Sequence, residues 1–193
     1  MKPYLVLIAG ILFGAIIGWF AFPAILYHSS DQPLHFSHNT HTGESGGMAC
    51  TDCHTTNETG RFQGIPSVIK CAECHASPIG ESVSEKQLVE HYITPNVEIP
   101  WLVYSRQPDN AYFPHAAHVT LGKMKCEDCH GPHGSSDTLR IHYTNRISGY
   151  SRDVWGANIS GFSSNRWEGM KMDKCVRCHG DNNRRDGCVS CHK

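Results

Sequence analysis

Hydrophobic residues in this chain are concentrated in one block near the N-terminus. The segment 4–26 contains no charged residue and is long enough to cross a bilayer as a helix. A cleaved signal peptide is the alternative, but the apolar run is longer than a typical signal core and no small-x-small cleavage site follows it. We therefore expect 1–27 to be a retained anchor in the inner membrane. Lys2 places the N-terminus in the cytoplasm and 28–193 in the periplasm.

Beyond the anchor the pattern of hydrophobic and polar positions is weak, and Gly, Ser, Asn, Asp and Pro recur throughout. Short helices are predicted at 83–92, at 116–121 and in the turns that lead into each cysteine motif. No segment shows the alternation that is typical of a strand. The stretch 133–170 has no periodicity and is predicted to be irregular and to serve as a docking surface. The predicted fold is mostly irregular with short α-helices, plus one N-terminal transmembrane helix.

Composition indicates that this polypeptide cannot build an ordinary core. Hydrophobic residues make up 39% of the chain, but many of them lie in the anchor, and the remainder is rich in Gly, His, Ser and Asn. Some other group must supply buried surface. The charge is balanced, with 17 Lys and Arg against 18 Asp and Glu, and no basic run of the kind that binds nucleic acid is present.

Five Cys-x-x-Cys-His motifs use all ten cysteines. Two thiols at this spacing can add to the vinyl groups of haem, and the histidine that follows can ligate the iron. Zinc sites, thioredoxin-like redox pairs and disulfides are the alternatives, but none of them requires a histidine after every pair. We predict five covalently bound haem c groups that pack on one another as in class III or cytochrome c7-like proteins. The predicted thioether and proximal residues are Cys50, Cys53 and His54; Cys71, Cys74 and His75; Cys126, Cys129 and His130; Cys175, Cys178 and His179; and Cys188, Cys191 and His192.

An internal repeat indicates further iron ligands. An aromatic pair, two histidines three residues apart and Cys-x-Asp-Cys-His occur in the same order at 35–54 and at 112–130. The histidines of the two pairs are the predicted distal ligands, because this spacing can aim them at two different haems. They are His38, His41, His115 and His118.

The fifth distal ligand is open between His142 and Met172, with His133 and Met170 as further candidates. We expect the remaining histidines to be surface residues or to lie behind a ligand rather than on an iron. These are His28, His35 and His91. With every iron ligated twice and no triad or carboxylate pair, no catalytic residue is predicted, and the chain is expected to conduct electrons.

Several segments fall in an order that resembles a known family. They are Phe36-Ser37-His38-x-x-His41, Gly64-Ile65-Pro66 before Cys71, Pro100-Trp101-Leu102-Val103-Tyr104, and Tyr112-Phe113-x-His115-x-x-His118-Val119 before Cys126-x-x-Cys129-His130-Gly131-Pro132. The chain resembles the membrane-anchored multihaem subunit of alternative complex III and of the periplasmic menaquinone reductase complex of sulfate reducers. The resemblance covers most of 36–192 and is weakest at 133–170.

The resemblance implies an electron-transfer subunit of an oxidoreductase complex that is not catalytic alone. Its neighbours would be an integral membrane quinone-reactive subunit, an iron–sulfur subunit and a molybdopterin-enzyme-like subunit. Electrons would pass between a soluble periplasmic cytochrome, of the cytochrome c3 kind, and menaquinone during anaerobic respiration. Bis-histidine ligation favours flow towards the quinone.

Two alternative functions come from other classes. A membrane-anchored quinol dehydrogenase of the NapC/NrfH type also has one anchor and several haems. Its first motif typically continues His-x-Met, whereas Thr55 and Thr56 follow His54 here. A catalytic multihaem oxyanion reductase would need a haem with one open axial position, which the supply of histidines disfavours.

Overall fold

The computed structural model describes residues 3–103, 109–147, 149, 172–184 and 187–192. At the N-terminus, α1 (Pro3–Ile16) continues through a π-helical segment (Ile17–Ala21) into α2 (Phe22–Leu26). The helical stretch Pro3–Ala21 has 19 residues, a mean hydropathy of 2.3 and no buried side chain. Its length and composition suit a membrane span, and a signal sequence near an N-terminus has the same properties.

A two-stranded antiparallel sheet follows this helix. Strand β1 (Tyr27–Ser30) pairs with β2 (His142–Asn145), so that Tyr27 lies opposite Asn145. This sheet was not predicted, because each strand has four residues of mixed polarity and no alternation. Within 133–170 the expectation of irregular backbone is therefore wrong at β2. Residues 148 and 150–171, which include Met170, lie outside the described residues.

The rest of the described chain consists of short helices and turns joined by irregular segments. Both predicted helices, at 83–92 and 116–121, are present, and part of every cysteine motif lies on a helix. In chain order the elements are α3 (His38–Thr42), α4 (Cys50–Cys53), α5 (Val68–His75), α6 (Val83–Leu88), a π-helical segment (Val89–Ile93), a second π-helical segment (Ala116–Leu121), α7 (Cys126–His130), a 3-10 turn (His133–Ser135), α8 (Met172–Asp181) and α9 (Cys188–Cys191).

The hydrophobic core of the described residues is small. Leu34, Leu88 and Ile99 form one buried cluster, and in the described residues Val68 is the one other buried hydrophobic side chain. Half-buried residues pack against the cluster, and they are Cys71, Tyr92, Ile93 and Trp101. A cluster of this size contributes too little apolar burial to hold a chain of this length together. The expectation that attached groups complete the interior therefore agrees with the packing.

Candidate haem-binding sites

The five cysteine motifs define five candidate sites, which we number in chain order. All ten cysteines are free thiols in this structure. On a helical turn, residues three apart lie on the same face, so each pair can present both sulfurs to one planar group. The sites are site 1 (Cys50, Cys53, His54), site 2 (Cys71, Cys74, His75), site 3 (Cys126, Cys129, His130), site 4 (Cys175, Cys178, His179) and site 5 (Cys188, Cys191, His192).

Site 1 lies beside both site 2 and site 3. Burial raises the pKa of the Cys53 thiol, and Cys74 of site 2 is close enough to raise it further. Burial also raises the pKa of Cys71, with Cys53 as the next contributor. In site 3, burial raises the pKa of Cys126, and Cys50 of site 1, a hydrogen-bonding neighbour, adds to the rise. Site 1 is therefore in the middle of these three sites.

Sites 4 and 5 continue from site 3. Burial raises the pKa of the Cys129 thiol, and Cys175 and Cys178 of site 4 raise it further. Burial likewise raises the pKa of Cys175, to which Cys191 of site 5 contributes. The backbone N–H of Tyr112 donates to the Cys191 carbonyl at 2.7 Å. Site 5 thus also lies beside the segment before the second histidine pair. The electrostatic effects of the thiols on one another, with the hydrogen bond between Cys50 and Cys126, indicate the site order 2, 1, 3, 4, 5.

The first copy of the repeat, which we call the first unit (36–54), has a defined histidine geometry. The Phe36 ring stacks on His41 with centroids 4.5 Å apart and meets His38 edge-on at 4.9 Å. Nδ1 of His41 lies 2.8 Å from the Ser37 carbonyl oxygen. An imidazole that donates from Nδ1 keeps the Nε2 lone pair for a metal. The backbone N–H of Met48 donates to the His41 carbonyl at 3.0 Å.

The second unit (113–130) repeats these contacts, although a π-helical segment stands in place of the α-helix α3. Phe113 stacks on His118 at 4.5 Å and meets His115 edge-on at 4.9 Å. Nδ1 of His118 lies 3.0 Å from the Pro114 carbonyl oxygen, which again leaves Nε2 for a metal. The Met124 N–H donates to the His118 carbonyl at 3.1 Å. The sequence repeat is therefore also a structural repeat.

The aspartate within each repeated motif has the same role in both units. The Asp52 carboxylate accepts a hydrogen bond from the Ala49 N–H at 2.8 Å, and the Asp128 carboxylate accepts one from the Lys125 N–H at 2.9 Å. In each case an acidic side chain in the first turn pairs with the backbone just before the helix, where it also meets the positive end of the helix dipole. These bonds fix the start of α4 and of α7.

Four pairs of histidine rings have a spacing that suits two ligands of one metal, and three of them include the histidine of a cysteine motif. Imidazole–metal bonds of about 2 Å put the centroids of two opposed rings about 6 Å apart. In these three pairs one ring follows a cysteine pair and the other is one of the two histidines that precede Cys-x-Asp-Cys-His in a unit. The pairs are His41 with His75 at 6.1 Å, His115 with His130 at 6.4 Å, and His118 with His179 at 6.0 Å. The residues present therefore fit haem iron held by two histidines.

Burial lowers the pKa of several of these histidines and so favours their neutral form. It lowers the pKa of His115, with His118 as the second cause, and it lowers the pKa of His130, with His115 and then His54 as further causes. Burial also lowers the pKa of His38, and His54 contributes next. Neutral imidazole is the form that ligates metals.

His133 lies against the first unit. Its ring centroid is 5.9 Å from that of His38, and its pKa falls to about 4, chiefly through burial and then through His38. The Asn39 N–H donates to the Ser136 carbonyl at 3.0 Å, which ties α3 to the 3-10 turn that carries His133. Nδ1 of His38 is buried and has no hydrogen-bond partner among the described residues. The structure therefore brings His133 beside a predicted ligand.

Phe62 links site 1 to the second unit, and sequence reasoning missed it. Its ring stacks on His54 at 5.9 Å and on His115 at 4.8 Å. A bridge between Thr56 and Phe62 closes the loop that presents it. Gly60 in this loop has a φ of +76°, and a Cβ there would meet the Thr120 hydroxyl at 3.0 Å. The loop approaches the second unit too closely for a larger residue.

Glu85 is the second residue that the sequence did not single out. Its Oε1 lies 2.7 Å from Nδ1 of His75 and 2.8 Å from the backbone nitrogen of Ile79. Its Oε2 accepts a hydrogen bond from the Gly80 N–H at 3.0 Å. These donors lower the pKa of the carboxyl, the Ile79 N–H most, then Gly80. No sequence pattern connects this helix residue with a motif ten positions earlier.

The structure does not bring every candidate ligand to a site. His142 lies in β2, with Nδ1 3.1 Å from the Thr144 hydroxyl, and the ring contacts seen among the described residues do not include it. Met172 begins α8 and is 59% exposed, while Met170 lies outside the described residues. The three histidines expected away from the irons are exposed, and they are His28, His35 and His91.

Comparisons with known proteins identify the family of this chain. Residues 23–99 match the model of the class III cytochrome c family. Over 199 aligned residues the chain is 37% identical to a protein of Nitratidesulfovibrio vulgaris, "Menaquinone reductase, multiheme cytochrome c subunit". That alignment covers 95% of this chain and 87% of the relative. The family resemblance predicted from the motif order is confirmed.

Proposed function

The chain belongs to the family of the multihaem cytochrome c subunit of menaquinone reductase and contains a class III cytochrome c domain, and we propose that it is the pentahaem electron-transfer subunit of a menaquinone reductase complex. Membership of this family implies covalently bound haem c and a role in electron transfer. The number five rests on the five motifs that use all ten cysteines. The spacing of about 6 Å between motif and unit histidines is the observation that carries the proposal.

Bound haem c would supply a one-electron iron couple at each site. The cysteines would hold the group by thioether bonds and the motif histidines would ligate one side of the iron. Three distal assignments follow the ring pairs, and the fourth follows the repeat, in which the first histidine of a unit serves that unit's own motif. The proposed distal and proximal pairs are His38 with His54, His41 with His75, His115 with His130, and His118 with His179.

The fifth axial pair is the part of the proposal with two alternatives. His192 would have either His142 or Met172 opposite it, and His133 stays a further candidate. A methionine ligand would give this haem a higher potential than the others. Exchanging Met172 for Ala and recording the ferric absorption of the sulfur-to-iron band separates the two, because only a methionine-ligated haem would lose it.

The domain division and the location are proposals with a common basis. We propose that 1–27 anchors the chain in the inner membrane and that 28–193 forms the periplasmic haem domain. Support comes from the uncharged helix Pro3–Ala21 and from the cytochrome c family of the chain, which suggests a periplasmic location for the haem domain. N-terminal sequencing of the mature protein tests this, and a mature chain that began after Tyr27 would identify a cleaved signal peptide instead.

The proposed partners go beyond what the name of the relative states, which is that it is one subunit of a menaquinone reductase. A menaquinone reductase complex would place a quinone-reactive membrane subunit, an iron–sulfur subunit and a molybdopterin-enzyme-like subunit next to this chain. A soluble periplasmic cytochrome c of the c3 kind would be the donor, with electrons flowing towards menaquinone. Purifying the native complex and identifying the subunits that co-migrate with this chain tests the partners directly.

Haem content and function have separate tests. Intact mass under denaturing conditions should exceed that of the polypeptide by five haems, and four or fewer would contradict the count.

For function, stopped-flow mixing with a cytochrome c3 should reduce the isolated subunit, and a menaquinone analogue added afterwards should not reoxidise it. Rapid reoxidation would favour a quinol dehydrogenase of the NapC/NrfH type. Binding of carbon monoxide or nitrite by the reduced protein would favour an oxyanion reductase, because each of these ligands needs an iron with an open axial position.

A further inference from the structure

We propose that Glu85 is a positioning residue that lowers the reduction potential of the haem at site 2 by holding the Nδ1–H of its proximal ligand, His75. The inference rests on the proposed haem ligation. Site 2 lies at one end of the row of sites, next to site 1.

The hydrogen bond between these two residues is short and well supported. Glu85 Oε1 lies 2.7 Å from His75 Nδ1, and the two side chains are 12% and 21% exposed. The N–H groups of Ile79 and Gly80 each bond one carboxylate oxygen, so the carboxylate is held from two further sides. Glu85 lies on α6, whose Leu88 belongs to the buried cluster that packs against Cys71 of site 2. The carboxylate is thus built into the same packed region as the site.

Other axial histidines have neutral acceptors at the same atom. Nδ1 of His41 lies 2.8 Å from a backbone carbonyl, and Nδ1 of His118 lies 3.0 Å from another. At site 1, Nδ1 of His54 is 3.4 Å from the Gly64 carbonyl, which is a weak contact. Among these four histidines, His75 alone has an anionic acceptor. Site 2 therefore differs from its neighbour in the charge of the group behind the ligand.

An anionic acceptor changes the ligand electronically. A carboxylate that accepts from Nδ1 draws the proton away from the ring and makes the imidazole a stronger electron donor. Greater donation stabilises ferric over ferrous iron, and hydrogen bonding around the ligands is one of the established controls on haem potential. The carboxylate also fixes the ring orientation and leaves Nε2 directed to the iron.

The test is potentiometric titration of the holoprotein carrying Glu85→Gln. Glutamine keeps a side-chain oxygen as an acceptor but removes its charge, so one of the five redox components should move upward and the others should stay. We expect the one-electron reduction constant of that component to rise by about threefold to tenfold, where tenfold corresponds to about 59 mV.

Glu73 provides a matched control. It lies between Cys71 and Cys74 of the same site, its side chain is 57% exposed, and it pairs with Lys70 at 2.6 Å rather than with a histidine. Glu73→Gln therefore removes the same charge from the same site without touching His75. A shift confined to Glu85→Gln supports the proposal. Equal shifts of the potential in both variants would overturn the proposal, because the loss of a nearby charge would then explain them. No shift in either variant would also overturn it, because Glu85 would then have no effect on the potential.

A second measurement uses the unsubstituted protein, so it tests the proposal even where the Glu85→Gln variant does not fold or bind its haems. In the unsubstituted ferric protein, electron paramagnetic resonance should show one low-spin haem whose largest g value is clearly reduced, as a more anionic histidine ligand produces. Five haems with overlapping, equal values would contradict the inference while leaving the proposed function intact. A denatured mass with fewer than five haems would instead contradict the pentahaem proposal, so the two failures are distinguishable.

Discussion

The two units share their ring and carbonyl contacts but have different surroundings. In each unit a phenylalanine stacks on the second histidine with centroids 4.5 Å apart, and that histidine bonds a backbone carbonyl through Nδ1. The second histidine of the first unit meets His75 of site 2, whereas that of the second unit meets His179 of site 4. The same local arrangement thus directs a histidine to site 2 in one unit and to site 4 in the other.

With the proposed ligation, the difference between the units lies in the groups that would give each haem its own properties. Contacts inside the repeat are set by nearby residues and are nearly identical, so they cannot distinguish one haem from another. The distinguishing groups come from outside the repeat. Glu85 stands behind His75, Phe62 stacks on His115, and His133 packs on His38. A repeated unit can supply ligands, while the segments between the repeats adjust each site.

The largest expected effect comes from cutting the row between the two units. Replacing Cys126 and Cys129 by Ala should remove the thioether attachment of site 3, which lies between sites 1 and 4. The denatured mass should fall by one haem. Stopped-flow reduction by a cytochrome c3 should then divide into a fast and a slow phase, because haems on either side of the gap no longer exchange electrons quickly.

Replacing Cys188 and Cys191 by Ala is the matched control for that cut. Site 5 ends the row, so this variant should also lose one haem but should keep single-phase reduction of the other four. Two phases in the control, or one phase in the site 3 variant, would show that the sites are not connected in the order 2, 1, 3, 4, 5.

The stacked phenylalanines allow a direct comparison of the units. Phe36→Ala and Phe113→Ala each remove a half-buried ring that contacts both histidines of a pair. We expect each to lower the free energy of unfolding by about 1–2 kcal/mol, through lost burial and lost ring contacts. Denaturant unfolding of the holoprotein measures this. Losses that differ by more than twofold would mean that the units are not energetically equivalent.

Local features of the fold were predictable from the sequence because their causes are local. Cysteine spacing predicts the five sites, and the repeat of two histidines before Cys-x-Asp-Cys-His predicts two equivalent units. The helix at 83–92 was predicted from its pattern and is present as α6 with the π-helical segment after it. In each case the residues that determine the feature are within a few positions of one another.

Features that depend on distant contacts were not predictable. Pairing of β1 with β2 joins segments more than a hundred positions apart, and neither has strand periodicity. Phe62 looks like any loop aromatic until the fold places it between His54 and His115. Likewise, α6 was predicted as a helix, but the direction of Glu85 towards His75 depends on how α6 packs on site 2.

The pH dependence of stability should distinguish the first unit from the second. His133 packs on the first unit, and its pKa in the folded protein is about 4 against an ordinary value of 6.5. As the pH falls, His133 of the unfolded chain binds a proton before His133 of the folded protein does. The contribution of the buried, neutral His133 to stability is therefore complete above pH 6.5 and is lost progressively as the pH falls towards 4. His133→Gln should make the unfolding midpoint less sensitive to acid over that window, as followed by thermal unfolding.

A control for this measurement is His35→Gln, since His35 is exposed beside the same unit. Its acid sensitivity should match that of the unsubstituted protein. If His133→Gln left the acid slope unchanged but altered the visible spectrum, His133 would be an iron ligand rather than a buried neutral histidine.

The smallest expected effect concerns the aspartates that begin α4 and α7. Asp52→Ala and Asp128→Ala each remove one carboxylate bond to a backbone N–H, at 2.8 and 2.9 Å. Because both aspartates are exposed and each helix is short, we expect a loss of about 0.5–1 kcal/mol in either variant. Denaturant unfolding at low and at high salt measures the loss and separates the charge effect, which salt weakens, from the hydrogen bond. Equal losses would extend the equivalence of the units to their helix starts. A larger loss at Asp128 would instead indicate that α7, which lies between sites 1 and 4 in the row, supports more of the surrounding structure than α4 does.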